Sequence, residues 1–118
     1  MSKEELHQHQ SFQNIDYILD NMPSKEEFKE KSNLMSFLSD GTRLSILWIL
    51  LHSEECVYNI AKILNISSSL ASTHLRGLKN AKIIVSKRHG KEVYYRFSET
   101  KEANLIKVIL KELHKETN

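Results

Sequence analysis

Apolar residues keep helical spacing along most of this chain and alternate, strand-like, only between Ile83 and Phe97. That single change of period restricts the fold more than any other feature. Ile83-Ile84-Val85-Ser86-Lys87 is β-branched and reads as a strand. His89-Gly90 reads as the turn, with Gly90 free to take positive φ. Glu92 to Phe97 alternates as the returning strand. The expected fold class is therefore mainly α with a small β-hairpin (α+β), in one domain spanning the 118 residues.

The helices can be read in order. Phe12, Ile15, Ile18, Leu19 and Met22 mark the first, which Pro23 ends. Ser24-Lys25-Glu26-Glu27 is a capping-box pattern that opens a second, carrying Phe28, Leu34, Met35, Phe37 and Leu38. Asp40 can cap a third, whose residues Leu44 and Ile46 to Leu51 are apolar nearly all round. Such a helix belongs at the centre of a core, so Trp48 is expected to be buried. Val57 to Leu64 is a short helix, Asn65-Ile66 a tight turn, and Ser67-Ser68-Ser69 the start of the next helix. There Leu70, Ala71, His74, Leu75 and Leu78 are expected inside, and Ser68, Ser69, Ser72, Thr73 and Arg76 outside. The final helix, about 100–116, carries Leu105, Ile106, Val108, Ile109, Leu110 and Leu113. Residues 1–11 are expected to be a flexible tail.

Composition excludes several classes of chain. With 40% hydrophobic and 27% charged residues, three Gly and one Pro, the chain is neither collagen-like nor wholly disordered. No apolar run approaches the roughly 20 residues of a membrane span, and the polar N-terminus lacks a signal-peptide core. One cysteine, Cys56, gives no disulfide framework. A cytoplasmic protein without a membrane partner is expected. No phosphate-binding glycine loop, HExxH pair or nucleophile elbow is present, so an enzyme is not expected.

Charge then points to a partner. Residues 62–101 hold nine bases against Glu92 and Glu99, a sum of +7, whereas residues 1–40 sum to −4. Such asymmetry marks a polyanion-binding half. Within that half lie a short helix, a tight turn and a second helix with small polar outward residues (57–82), followed by a basic hairpin (83–97). This is the pattern of a winged helix-turn-helix. Short Ser68, Ser69, Ser72 and Thr73 side chains let a helix approach base edges in the major groove, and Arg76 reaches a guanine or a phosphate. Lys87, Arg88, His89 and Lys91 flank the wing turn, where they can grip the backbone. A wing of this kind can also serve a protein or RNA partner, since fold does not fix function.

The order Asp40-Gly41-Thr42-Arg43-Leu44, Cys56-Val57-Tyr58-Asn59-Ile60-Ala61, Ile66 to Leu78 and Arg88 to Tyr95 resembles the arsenic-repressor (ArsR/SmtB) type of bacterial transcriptional regulator. The resemblance covers about residues 32–116. It implies four helices, a recognition helix, two strands and a closing helix. It also implies a homodimer built through the first and last helices, and repression of a palindromic double-stranded DNA operator released by an effector. Leu105, Ile106, Ile109, Leu110 and Leu113 are then candidate dimer contacts. Gly41 stands where the family commonly has Pro, and Thr73 where it often has His.

The resemblance also implies effector sites. One joins thiolates before the recognition helix to ligands from the N-terminal tail. Cys56 matches the first thiolate, Tyr58 occupies the second, and His7 and His9 are candidate partners for Zn2+ or Cd2+. The plainer alternative is a small buried cysteine and two tail histidines. A second site, on the closing helix, falls on Glu99, Lys101, Glu112 and Lys115, and its lysines make it a poor metal site. Thiol oxidation at Cys56, or no direct effector, are further alternatives.

Overall fold

The structure is a computed structural model that describes residues 14–114. These fall into two compact units, one up to Asn33 and one from Leu34 onward. In the first, α1 (Ile15–Asn21) ends before Pro23, and α2 (Lys25–Ser36) begins with the Ser24 hydroxyl accepting the Glu27 amide at 3.1 Å. This is the capping geometry the Ser24–Glu27 pattern calls for.

In the second unit, Asp40 caps α3 (Gly41–His52) by accepting the Arg43 amide at 2.9 Å. The Arg43 guanidinium folds back and donates to the carbonyls of Phe37 and Ser36, at 3.2 and 3.1 Å. Arg43 therefore locks the entry to α3 instead of facing a partner. The hydrogen bond donated by the Arg43 backbone amide, aided by the Arg43 and His74 charges, holds the Asp40 carboxyl below its ordinary value against an opposing desolvation. A depressed carboxyl contributes stability above its unfolded pKa and loses it as pH falls through the folded one. Stability should thus fall as pH drops below about 3.8. Acid titration monitored by circular dichroism should show a flatter acid limb for Asp40→Asn, which keeps a capping oxygen but no charge.

Gly41 occupies the first helical position, where the amide has no partner within the helix and proline's fixed φ fits. Asp40, at φ −99° and ψ 125°, already has the extended backbone that a following proline requires. A Cβ at Gly41 would meet no atom within 4 Å. Gly41→Pro should therefore raise unfolding stability by about 0.5–1 kcal/mol, chiefly by restricting the unfolded chain, as read by urea denaturation.

After α3 the chain forms β1 (Glu55–Cys56), α4 (Val57–Leu64), α5 (Ser68–Asn80), β2 (Ile84–His89), β3 (Glu92–Phe97) and α6 (Lys101–Leu113). The described residues thus hold six helices and an antiparallel sheet in the order β1-β3-β2. The hairpin has the expected strands, but β1 adds a third, pairing Glu55 with Tyr95 and Cys56 with Tyr94. Two residues are too few to show alternation, which is why sequence spacing misses β1.

The core is made by Leu34, by the α3 stripe Ile46, Leu47, Ile49 and Leu50, and by the inner faces of α4, α5 and α6 closing over Ile83, Ile84 and Phe97. Ser98 is buried beneath the wing, its hydroxyl 2.7 Å from the Lys82 carbonyl and 3.1 Å from that of Ile83. Trp48 corrects the expectation of a fully buried α3, being 39% exposed. At 100° per residue, the four buried side chains cover an arc centred between Ile46 and Leu50, and Trp48 falls opposite it. Leu70 is likewise exposed, because it sits in the first turn of α5 ahead of the buried Ala71–Leu75–Leu78 stripe. No single helix among the described residues is long and apolar enough to cross a membrane.

Candidate nucleic-acid interface

The helix-turn-helix is set by local backbone chemistry. Ile60 and Ala61 bury one side of α4. Asn65 then ends the helix at φ 54°, the left-handed conformation that asparagine tolerates, and the Ile66 amide donates to the Ala61 carbonyl at 3.0 Å. One residue later the Ser67 hydroxyl accepts the Leu70 amide at 3.0 Å and opens α5. Ala71, Leu75 and Leu78, spaced four and three apart, turn inward.

That packing fixes the outward stripe. Ser68, Ser69, Thr73 and Arg76 are exposed and Ser72 half-buried, in the arrangement expected from spacing. The Thr73 hydroxyl donates to the Ser69 carbonyl at 3.0 Å. Its hydrogen is thereby used within the helix, so Thr73 offers outward a methyl group and oxygen lone pairs. Those suit a thymine methyl or an exocyclic amine donor in a major groove.

The wing follows from the β2–β3 register, which pairs Lys87 with Tyr94, Arg88 with Val93 and His89 with Glu92. His89 is thus the last strand residue, and the turn is Gly90-Lys91, one residue later than spacing suggests. Gly90 has φ 64°, the sign that two-residue hairpin turns demand at their first central position. Lys87, Arg88, His89 and Lys91 are all exposed, but strand alternation divides them. Lys87 and His89 share a face with Tyr94, whose ring meets His89 edge-on at 5.5 Å. Arg88 and Val93 lie on the other face, shared with the buried Ile84 and Phe97. Tyr94 is a candidate contact that sequence reasoning missed; its only signal was its place in the alternation opposite Lys87. Arg96, counted among the basic residues, lies 3.7 Å from Glu54 across the sheet and is partly neutralised.

The candidate metal donors are not assembled by the described residues. Cys56 is buried, ending β1 and preceding α4. Tyr58 points outward at 60% exposure. The nearby Glu55 carboxylate is engaged by Ser53 Oγ and Asn59 Nδ2, both at 2.8 Å. Among the described residues no three His, Cys, Asp or Glu side chains converge, so this donor set does not by itself fit a metal ion. His7 and His9 lie outside the described residues, as does Lys115 of the closing-helix set. His74 is half-buried on α5, and His52 lies edge-on against Trp48 at 4.4 Å.

The candidate dimer residues divide. Ile106 and Leu110 pack into the chain's own core. Leu105 and Leu113 are exposed and Ile109 half-buried; with the exposed Val108 they leave an apolar surface along α6.

Known proteins are similar to this chain in sequence and in fold. The sequence pattern described as "bacterial regulatory protein, arsR family" matches residues 40–86. The cadmium resistance transcriptional regulatory protein CadC of Listeria innocua is 38% identical over 78 residues, 65% of this chain and 66% of the relative. This chain therefore spans just under two thirds of that relative. The transcriptional repressor SdpR of Bacillus subtilis is 36% identical over 69 residues, 58% of this chain and 77% of that protein. Among solved structures, a homodimeric winged helix-turn-helix DNA-binding domain from Mycobacterium bovis superposes with a TM-score of 0.64 at 24% identity. That match covers 82% of this chain and 98% of the domain.

Proposed function

This chain belongs to the arsR family of bacterial regulatory proteins, and we propose that it represses transcription as a homodimer on a two-fold symmetric operator. The family's members are DNA-binding regulators, not enzymes. The observation that carries the proposal is the outward stripe of α5, Ser68, Ser69, Thr73 and Arg76, standing free of the core while Ala71, Leu75 and Leu78 anchor its back. α5 enters the major groove, and Lys87, Arg88, His89 and Lys91 of the wing meet the flanking backbone. One such helix covers only a few base pairs, so a second copy, joined through the α6 surface of Leu105, Val108, Ile109 and Leu113, supplies the second half-site.

Sedimentation combined with hydroxyl-radical footprinting of the upstream DNA tests this. The expected result is a dimer protecting two half-sites about one helical turn apart. A monomer with one protected patch would overturn the dimeric reading. Arg76→Ala should also narrow the gap between operator and scrambled duplex by about 1–3 kcal/mol.

A metal effector is the second reading, favoured by the cadmium-resistance name of a relative. Cys56 is its one thiolate donor, and one or both of His7 and His9 complete the set. Anisotropy with and without Cd2+ decides. Release by Cd2+ that is lost in Cys56→Ser supports the reading, whereas release that survives in the variant removes Cys56 from it.

A further inference from the structure

On the face of α4 next to the start of α5, Tyr58 and Lys62 have no part in the DNA contacts described so far. Tyr58, Ala61, Lys62 and Asn65 recur at one side of α4, spaced three and four apart. The buried Ala61 is short, so the stripe encloses a hollow of about 230 Å³ lined by Tyr58, Ala61, Lys62, Asn65, Ile66 and Ser68. Ser68 is the first outward residue of α5, so the hollow is continuous with the proposed recognition surface. Lys62 Nζ stands 5.6 Å from the centre of the Tyr58 ring. A lysine held this way keeps N–H groups directed to solvent while its long side chain is restrained. Among the described residues no carboxylate lines the hollow, so Lys62 sets its charge there. Tyr58 is 60% exposed, a poor position for an aromatic ring unless its hydroxyl meets a polar partner.

We propose that Tyr58 and Lys62, with Ser68 at the mouth, hold a backbone phosphate of the bound duplex. The site rests on the reading of α5 as the recognition helix. When such a helix lies in the major groove, the helix before it crosses the sugar-phosphate backbone, and here that helix is α4. Lys62 supplies the charge, and the Tyr58 and Ser68 hydroxyls donate to phosphate oxygens. The contact carries no base information but fixes how deeply α5 is seated. It also gives Tyr58 a role at the position where the family resemblance implies a second thiolate.

The test uses the full chain and two labelled duplexes, one from the DNA upstream of its own coding region and one scrambled. Anisotropy titrations run across a salt series. Lys62→Ala should weaken both duplexes alike, by about tenfold, and reduce the slope of log affinity against log salt by about 0.9. Lys62→Arg should restore that slope. Tyr58→Phe should weaken binding several-fold with the slope unchanged. A wild-type slope and affinity in Lys62→Ala, with Arg76→Ala still weakening the upstream duplex, would overturn the phosphate site and leave the recognition helix intact. If Arg76→Ala also binds as wild type does, both readings fail together.

Discussion

Leu75→Ala should lower stability by about 3–4 kcal/mol and abolish operator binding at temperatures where the wild-type chain still binds. Leu75 is fully buried, between Ala71 and Leu78 on the inner face of α5. Truncation loses the transfer free energy of the removed carbons and leaves a cavity that the neighbouring α4 and β2 cannot close without moving. The loss is a large fraction of the stability available to a small domain. Urea denaturation followed by circular dichroism measures it directly. Leu70→Ala is the internal comparison. At 42% exposure, five residues earlier on the same helix, it should cost less than about 1 kcal/mol. Equal losses at the two positions would contradict the inward and outward faces assigned to α5.

The second large effect is expected in DNA affinity, with stability unchanged. Combining Lys87→Ala, Arg88→Ala and Lys91→Ala should lower affinity on the order of 10²-fold and reduce the salt slope by about 2.7. The three side chains are exposed and border a tight turn set by Gly90, so their removal leaves sheet pairing and core untouched. Upstream and scrambled duplexes should weaken to the same degree, because the wing grips backbone. A loss confined to the upstream duplex would show that the wing reads bases. Arg96 gives the contrast, since Glu54 lies 3.7 Å away and Arg96→Ala should change the slope far less.

Particular residues show why some of this was legible in the sequence. Asp40 and Ser67 announced their helices because capping depends on one side chain and the amide three residues on, a purely local matter. The outward stripe of α5 was legible because serine, threonine and arginine cannot fill core positions that Ala71, Leu75 and Leu78 hold at helical spacing. Trp48 was not, since the run of apolar residues around it conceals which arc of the helix meets neighbours. Similarly, α6 is apolar on more than one side. Only the packed fold shows that Ile106 and Leu110 serve the chain's own core while Leu105, Val108 and Leu113 remain outside. The hollow beside Tyr58 depends on Ala61 being both short and buried against a second helix, which no local pattern encodes. β1 exists because β3 offers it an edge, a non-local cause acting on two residues.

The most direct measurement is one anisotropy titration of the wild-type chain on its upstream duplex and on a scrambled duplex of equal length and composition, repeated at several salt concentrations. An operator-reading winged helix should bind the upstream duplex roughly 10³-fold or more tightly, with log affinity falling steeply and linearly against log salt. Equal affinity for the two duplexes, or binding indifferent to salt, would contradict the assignment of α5 and the β2–β3 wing as a DNA-reading surface.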